Sequence, residues 1–177
     1  FYDCTALKEI VVPDSAEYIG WSMLRGCSSL TVVTVPFVGE TPKEPVTKEG
    51  YSNFSCLFGD EIGKADFVPE SLKKVTVTGT NMKILKREAF KNCKTIETIE
   101  FLDVMKTISN SAFSGCSALT EITIPGTVQK IEKKAFADCG SLKNITFNGT
   151  SESFNTITVS DGNDAFTNAK VTYIVAE

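Results

Sequence analysis

A short phrase recurs along this sequence and restricts the chain to a stacked-repeat fold. The two clearest copies are Ala112-Phe113-Ser114-Gly115-Cys116 and Ala135-Phe136-Ala137-Asp138-Cys139, which lie 23 residues apart. Looser copies are Ala89-Phe90…Cys93, Leu24…Cys27 and Phe1…Cys4. A unit of this length cannot bury its own apolar face, so successive units must stack on a shared core. The sequence therefore predicts a solenoid in which the phrase lies in the interior.

Each copy of the phrase is followed by a run that alternates apolar and polar residues. After Cys116, the apolar positions are Leu119, Ile122 and Ile124, and Pro125 ends the run. This spacing is typical of a short strand, and stacking the units places the strands in one parallel sheet. The corresponding trios are Leu7/Ile10/Val12, Leu30/Val33/Val35, Leu72/Val75/Val77, Ile96/Ile99/Phe101 and Leu142/Ile145/Phe147.

The remainder of each unit is expected to return the chain to the next strand. A second apolar pair, Val128 and Ile131, follows the strand, with counterparts in Met105/Ile108, Met82/Leu85 and Ala16/Ile19. The A-F-x-x-C segment is expected to form a helical turn. Its aromatic position predicts a core column of Phe1, Leu24, Phe58, Phe90, Phe113 and Phe136. Burying one such ring contributes roughly 2–3 kcal/mol.

Five of the six cysteines hold the same place in the phrase, and only Cys56 does not. Equivalent residues of stacked units lie about 4.8 Å apart with parallel Cβ directions. That direction disfavours a disulfide even though the Cα distance permits one. We therefore expect a column of buried, reduced thiols, with Cys56 the one cysteine that a thiol reagent reaches quickly in the native protein.

The third unit departs from the repeat length. Taking Leu57-Phe58 as its A-F pair places two insertions, in residues 37–56 and 60–69. Each insertion is interpreted either as a tolerated surface loop or as a binding loop.

The domain organisation follows from the repeats. We expect about six units in residues 1–150, and a capping segment in 151–177, where Ala169 replaces the cysteine. Because the chain begins inside a unit, we also expect it to be part of a longer protein.

Composition argues against several classes of function. The chain has no histidine, which removes the usual general base and the usual nitrogen ligand for metals. The net charge of −4 argues against binding nucleic acid or an anionic membrane, and no apolar run has the length of a membrane span. Glu97, Glu100 and Glu121 are interpreted as solvated strand residues, and 160–164 as a turn that lacks the register of a calcium loop. We expect no enzyme activity, cofactor or metal.

These motifs resemble the BspA-like, or Treponema-type, leucine-rich repeat family, whose units read L-x-x-I-x-I-P-x-x-V-x-x-I-x-x-x-A-F-x-x-C. The stretch from Leu119 to Cys139 fits nearly every position, and Leu57 to Gly79 is similar to a variant unit of the family. The resemblance implies a right-handed α/β leucine-rich repeat solenoid with a parallel sheet on one face, short helical turns on the return segments and a C-terminal cap. Family members are mostly secreted or surface proteins of host-associated bacteria, and some are implicated in adhesion. An extracellular or cell-surface location is therefore expected.

Residues that alternate with the buried strand positions point to solvent and are the candidates for ligand binding. The predicted set is Glu9, Thr34, Lys74, Thr76, Thr98, Glu100, Glu121, Thr123, Asn144 and Thr146. Stacked threonines also pack well on a pleated surface without any ligand. Two functions stay open: an adhesion module that binds a matrix or cell-surface protein (or a glycan), and a structural spacer with no ligand. The isolated chain is expected to be a monomer.

Overall fold

The chain coils so that each turn adds one strand to the same parallel sheet. The structure is a computed structural model that describes residues 1–39, 53–60, 64–79, 82–102 and 105–175. In chain order the strands are β1 (Glu9–Val11), β2 (Val32–Val35), β3 (Lys74–Val77), β4 (Ile84–Leu85), β5 (Thr98–Phe101), β6 (Thr107–Ile108), β7 (Glu121–Pro125), β8 (Lys130–Ile131), β9 (Asn144–Asn148), β10 (Thr158–Val159) and β11 (Lys170–Tyr173). The helices in these ranges are few: a 3₁₀ helix (Phe54–Phe58), α1 (Ser151–Asn155) and α2 (Asp164–Thr167).

The seven-stranded sheet has the order β1-β2-β3-β5-β7-β9-β11, and every pair in it is parallel. The predicted trios supply its inward side chains, of which Val33, Ile99 and Ile122 are fully buried. The solenoid and its sheet of short parallel strands are thus confirmed. Strand β11 extends the sheet beyond the six strands that the trios predicted.

A second parallel sheet, which the sequence analysis did not predict, runs along the return segments. Strands β4, β6, β8 and β10 form this four-stranded sheet. Its inward residues include Leu85, Ile108 and Ile131, the second members of the predicted apolar pairs. Strands of two residues are too short to show an alternation in the sequence, so the pairs did not reveal a sheet.

The A-F-x-x-C segments are tight turns rather than helices. In the clear copies a residue two before the phenylalanine and another two after it have positive φ, as at Ser111 and Gly115 or at Lys134 and Asp138. The left-handed conformation interrupts a right-handed helix. In place of the expected helical turn there are separate i→i−3 bonds, such as those from the Ser114 N–H to the Ser111 carbonyl at 3.1 Å and from the Cys116 N–H to the Phe113 carbonyl at 3.0 Å.

The aromatic column fills the core, although one of its predicted members lies outside it. Consecutive ring centroids lie 5.0 Å (Phe166–Phe136), 4.8 Å (Phe136–Phe113) and 5.5 Å (Phe113–Phe90) apart, distances at which aromatic pairs attract. The prediction for Phe1 was wrong: it is 63% exposed, because no turn among the described residues covers it.

The third unit inserts two rings into the column where one was predicted. The ring centroids of Phe54 and Phe90 lie 5.1 Å apart, and the Phe54 N–H donates to the Ala89 carbonyl. The N–H of Phe90 makes the equivalent bond to the turn that follows it. Leu24 in turn donates to the carbonyl of Leu57, beside Phe58. The 3₁₀ helix therefore presents Phe54 to one neighbouring turn and Phe58 to the other, with the two rings 5.7 Å apart.

The cysteine column is reduced throughout and is buried except at Cys4. All six cysteines are free thiols, and Cys27, Cys93, Cys116 and Cys139 are buried. The Cys116 and Cys139 thiols donate to the carbonyls of Phe90 (3.0 Å) and Phe113 (3.1 Å) in the preceding turn. The prediction for the other cysteines was wrong: Cys4 is exposed and Cys56 is buried, because the 3₁₀ helix carries Cys56 into the core.

Residues 151–175 form a further turn of the stack. Strand β10 joins the four-stranded sheet, β11 joins the seven-stranded sheet, and Phe166 stacks on Phe136. The ring of Phe154, from α1, contacts Phe147, Phe166 and Tyr173. The side chain of Asn163 ties this turn to the preceding one, and it is the buried residue of the stretch 160–164.

Candidate binding surface

The sheet face, meaning the outward side of the seven-stranded sheet, carries the predicted site residues in two straight columns. Strand register aligns Glu9, Val32, Lys74, Thr98, Glu121 and Asn144 in one column, and Val11, Thr34, Thr76, Glu100, Thr123 and Thr146 in the other. Neighbours within a column are one strand spacing apart, about 4.8 Å. The structure therefore brings all ten predicted residues onto one surface.

The centre of the sheet face is closed by contacts among its own side chains. The Lys74 ammonium lies 2.9 Å from Glu100 Oε1, and the Thr76 hydroxyl donates to Glu100 Oε2 at 3.2 Å. In the adjoining column, Lys73 pairs with Glu97 at 3.2 Å. These contacts leave Thr76 only 8% exposed. The expectation that Thr76 points freely to solvent was wrong, because its neighbours fold over it.

The part of the face built by β7 and β9 is more open. Asn144 is exposed, while Glu121, Thr123 and Thr146 are half-buried by the pleat and by one another. Among the side chains of these four described residues there is one hydrogen bond, between the Thr146 hydroxyl and Glu121 Oε1, and it is 3.4 Å long. A partner therefore finds hydrogen-bond donors and acceptors here that are not engaged in ion pairs with other described residues.

Strand β11 adds two residues to the sheet face that the sequence analysis missed. Lys170 aligns with Asn144, and Thr172 aligns with Thr146. The polar stretch from 151 to 164 changes the repeat length and hid this register. The signal that locates it is the phrase Ala165-Phe166, because the strand follows that phrase in every unit.

Residues 64–69 of the insertion at 60–69 form a ridge on the turns rather than on the sheet face. The Asp60 carboxylate holds the ridge by accepting the N–H groups of Asp66 (3.1 Å) and Phe67 (3.0 Å). The Arg25 guanidinium lies 4.2 Å from the ring centroid of Phe67. Clefts of about 370 and 470 Å³ flank the ridge.

The second insertion, at 37–56, is described only at its ends. Phe37, Val38 and Phe54 are buried there, so these ends belong to the core and not to a surface loop. Residues 40–52 lie outside the described residues, and the interpretation of that segment as a tolerated or binding loop stays a prediction.

Electrostatics at the buried groups favour their neutral forms. Burial raises the pKa of the Cys93 and Cys116 thiols far above the ordinary value, and raises the pKa of Cys139 to about 12. Burial also raises the pKa of Asp60, against the N–H donors of Phe67 and Asp66 and the charge of Arg25, which lower it.

Within the described ranges, no group of three or more acidic, cysteine or histidine residues is placed to hold a metal ion. No helix in those ranges has the length and apolarity needed to cross a membrane.

A family model described as "BspA type Leucine rich repeat region" matches residues 1–44 and 60–177, in six copies. A search of curated proteins gives no match.

Three solved structures are similar to this chain at low sequence identity. A leucine-rich repeat protein of T. pallidum is 18% identical with a TM-score of 0.43, covering 94% of this chain and 72% of its own. One from Bacteroides ovatus is 16% identical with a TM-score of 0.33, covering 99% and 64%. A leucine-rich cell surface protein of Faecalibacterium prausnitzii is 16% identical with a TM-score of 0.38, covering 97% and 48%. The chain thus spans less than two thirds of the last two.

Proposed function

The chain belongs to the BspA-type leucine-rich repeat family, and on that premise we propose that it is a non-enzymatic recognition module. In this proposal it acts outside the cell or at the cell surface and binds a matrix or cell-surface protein through the sheet face. The observation that carries the proposal is the open polar area of β7 and β9, formed by Glu121, Thr123, Asn144 and Thr146. A protein is favoured over a neutral glycan because these two columns hold no aromatic residue in the described strands on which a sugar ring would stack.

The affinity of this face for a partner is expected to be modest. Tight interfaces concentrate their energy in buried aromatic and arginine anchors, and the described columns of the sheet face contain neither. Polar groups that exchange water for partner contacts give a small net gain, about 0.5–1.5 kcal/mol each. Several such contacts along a flat sheet fit a module that works by repetition within a larger surface protein.

The alternative function, a structural spacer, is supported by a different part of the same face. The pairs Lys73–Glu97 and Lys74–Glu100 neutralise the centre of the sheet within the chain itself. Cross-strand pairs of opposite charge stabilise a sheet without any ligand. A spacer needs only this stability, so it predicts that the purified chain has no saturable ligand.

The two functions are separated by a binding screen with matched variants. The wild-type chain is tested by biolayer interferometry against immobilised matrix proteins and cell-surface glycoproteins. For any protein that binds, Thr123→Arg is expected to weaken binding at least ten-fold, because the bulky cation stands in the centre of the open area. Ser117→Arg introduces the same charge at an exposed turn and is the control. Equal binding by wild type and Thr123→Arg rejects the sheet face, and a screen without saturable binding supports the spacer.

A further inference from the structure

The ridge holds an aromatic side chain at the surface, away from the sheet face that the proposed function uses. Phe67 is 46% exposed, although its backbone is fixed. Its N–H and that of Asp66 donate to the carboxylate of Asp60, a residue that is only 2% exposed. At the start of the ridge, the Ser55 hydroxyl donates to the Lys64 carbonyl at 2.8 Å. The exposed ring therefore stands on a backbone that buried side chains hold in place.

The ring of Phe67 and the side chain of Arg25 form one surface group. The Arg25 guanidinium lies 4.2 Å from the ring centroid, within the range of a cation–π contact. Aromatic and arginine side chains are enriched at the buried centres of protein interfaces. The two columns of the sheet face contain neither kind in the described strands. The ridge thus carries the kind of anchor that the sheet face lacks.

The smaller cleft beside the ridge, of about 370 Å³, combines an apolar wall with an acidic rim. Its apolar wall consists of Phe67, Val68 and Pro69. The charged residues that line it are Asp3, Arg25, Asp66 and Glu70. None of these three carboxylates forms an ion pair with another described residue. The cleft therefore has three carboxylates and one cation, and that cation faces the ring of Phe67.

The larger cleft, of about 470 Å³, has a different charge balance. Asp66 and Glu70 line this cleft too, but Lys64 and Lys94 stand against them. The formal charges of the lining residues thus cancel in the larger cleft, whereas they leave two negative charges in the smaller one. An attraction for cations is expected only in the smaller cleft, because there the charges of one sign predominate.

We propose that the smaller cleft is a second docking site, which takes a lysine or arginine side chain from a partner protein. Such a side chain has an apolar stem and a charged end. The stem lies along the wall of Phe67, Val68 and Pro69, and the charged end faces the carboxylates. An apolar side chain would leave those carboxylates without a counter-charge, and an acidic one would be repelled. The exposed ring beside the cleft offers contact area that a protein can bury and a small cation cannot.

The test is a titration of the ¹⁵N-labelled chain with the blocked peptide Ser-Ala-Ala-Arg-Ala-Ala-Ser, followed by amide resonances. Saturable shifts are expected at Arg25, Ser28, Asp66, Val68 and Glu70. Peptides with leucine or glutamate in place of the arginine are expected to bind at least about three-fold more weakly, since they lack the charge that the rim attracts. Guanidinium chloride at the same concentration should give no saturable shift, because it lacks the stem.

Two variants separate the rim from the wall. Asp66→Asn with Glu70→Gln removes two carboxylates and should weaken binding of the arginine peptide at least about three-fold. Phe67→Ala removes the ring but keeps the backbone N–H, and should weaken binding at least about two-fold. Asp138→Asn with Asp161→Asn removes the same charge from exposed residues of later turns and is the control. Its affinity should stay within about 1.5-fold of wild type, because salt screens distant charges.

Several results would overturn the proposal. They are the absence of saturable shifts at the cleft, equal binding of the leucine peptide, equal binding by either variant, and an equal loss in the control. Equal shifts with guanidinium chloride would also overturn it, because they would show an adventitious cation only. Thermal melts of each variant establish that a loss of binding is not one of folding. The charge variant and Phe67→Ala alter different side chains, so each tests the cleft independently of the other.

Discussion

The side chain of Asn163 fastens the last turn of the stack to the turn before it, and removing it should destabilise the protein strongly. Its Oδ1 accepts the Phe136 N–H at 2.9 Å. Its Nδ2 donates to the carbonyls of Glu132 at 2.9 Å and Ser160 at 2.7 Å. Asn163 is 3% exposed, so water reaches these groups poorly. The amide thus satisfies backbone groups from both turns.

The expected loss in the free energy of unfolding for Asn163→Ala depends on which backbone groups lose their hydrogen-bond partner. The Phe136 N–H is buried, and an orphaned buried donor costs about 1–3 kcal/mol. Glu132 and Ser160 are half-buried, so solvent compensates much of the loss at their carbonyls. We therefore expect the free energy of unfolding to fall by about 2–4 kcal/mol. Asn155→Ala, the same chemical change at an exposed residue of α1, is expected to cost at most about 0.5 kcal/mol.

Urea unfolding followed by far-ultraviolet circular dichroism measures both variants by linear extrapolation. Asn163→Asp adds a further check, since it sets a carboxylate oxygen against two carbonyls. That contact raises the folded-state pKa of the new carboxyl above its unfolded value, so the lost stability should return as the pH falls. Two results would refute the role given to this residue. One is that Asn163→Ala loses no more stability than Asn155→Ala, and the other is that the Asn163→Asp variant becomes less stable as the pH falls.

Two further predictions concern the core and the ridge. A thiol reagent at neutral pH should label Cys4 quickly and label Cys27, Cys56, Cys93, Cys116 and Cys139 only after denaturation, because burial protects these five; fast reaction of more than one thiol in the native state would contradict the packing. Burial raises the pKa of Asp60, so protonation of this group favours the folded state, and its stabilising effect is present at low pH and is lost as the pH rises through the folded-state pKa. The free energy of unfolding of wild type should therefore rise relative to Asp60→Asn as the pH falls from about 7 to about 4, and a constant or falling difference would show that the two N–H donors outweigh burial.

The repeated phrase made the main features of the fold predictable because burial acts on every copy alike. The register of Phe90, Phe113 and Phe136 and the trio Leu119, Ile122 and Ile124 satisfy the same steric demand in each turn, so the pattern recurs at a fixed period. The positive-φ position before each of the five cysteines of the phrase also has a sequence signal, since it is occupied by Asp3, Gly26, Asn92, Gly115 and Asp138. Glycine, asparagine and aspartate adopt this conformation most readily.

The features that the sequence did not reveal depend on contacts that occur at one place in the stack and do not recur in every turn. Phe54 and Phe58 each fit the column, and only the packing of the 3₁₀ helix between two turns shows that both are used. Thr76 shares its column with residues that are exposed or half-buried, yet Glu100 and Lys74 cover it. Asn163 lies in a polar stretch that is typical of a turn, and nothing in that pattern distinguishes a buried asparagine from a solvated one. Such features follow from particular neighbours and not from a period.

The candidate site was predictable as a surface but not as a set of residues. Strand alternation predicted which side chains face outward, and the register of the strands agrees for all ten. Which of them are open depends on ion pairs between adjacent turns, and those pairs divide the face into a closed centre and an open area on β7 and β9.

The central claim, that the phrase builds the interior and the open area of the sheet face binds the partner, is tested most directly by mapping the contact. The ¹⁵N-labelled chain is titrated with a protein identified in the binding screen, and amide resonances are followed. We expect the perturbed amides to cluster at Glu121, Thr123, Asn144 and Thr146 and to extend to Lys170 and Thr172. Perturbations confined to the turns, the ridge or the four-stranded sheet, with these residues unchanged, would contradict it.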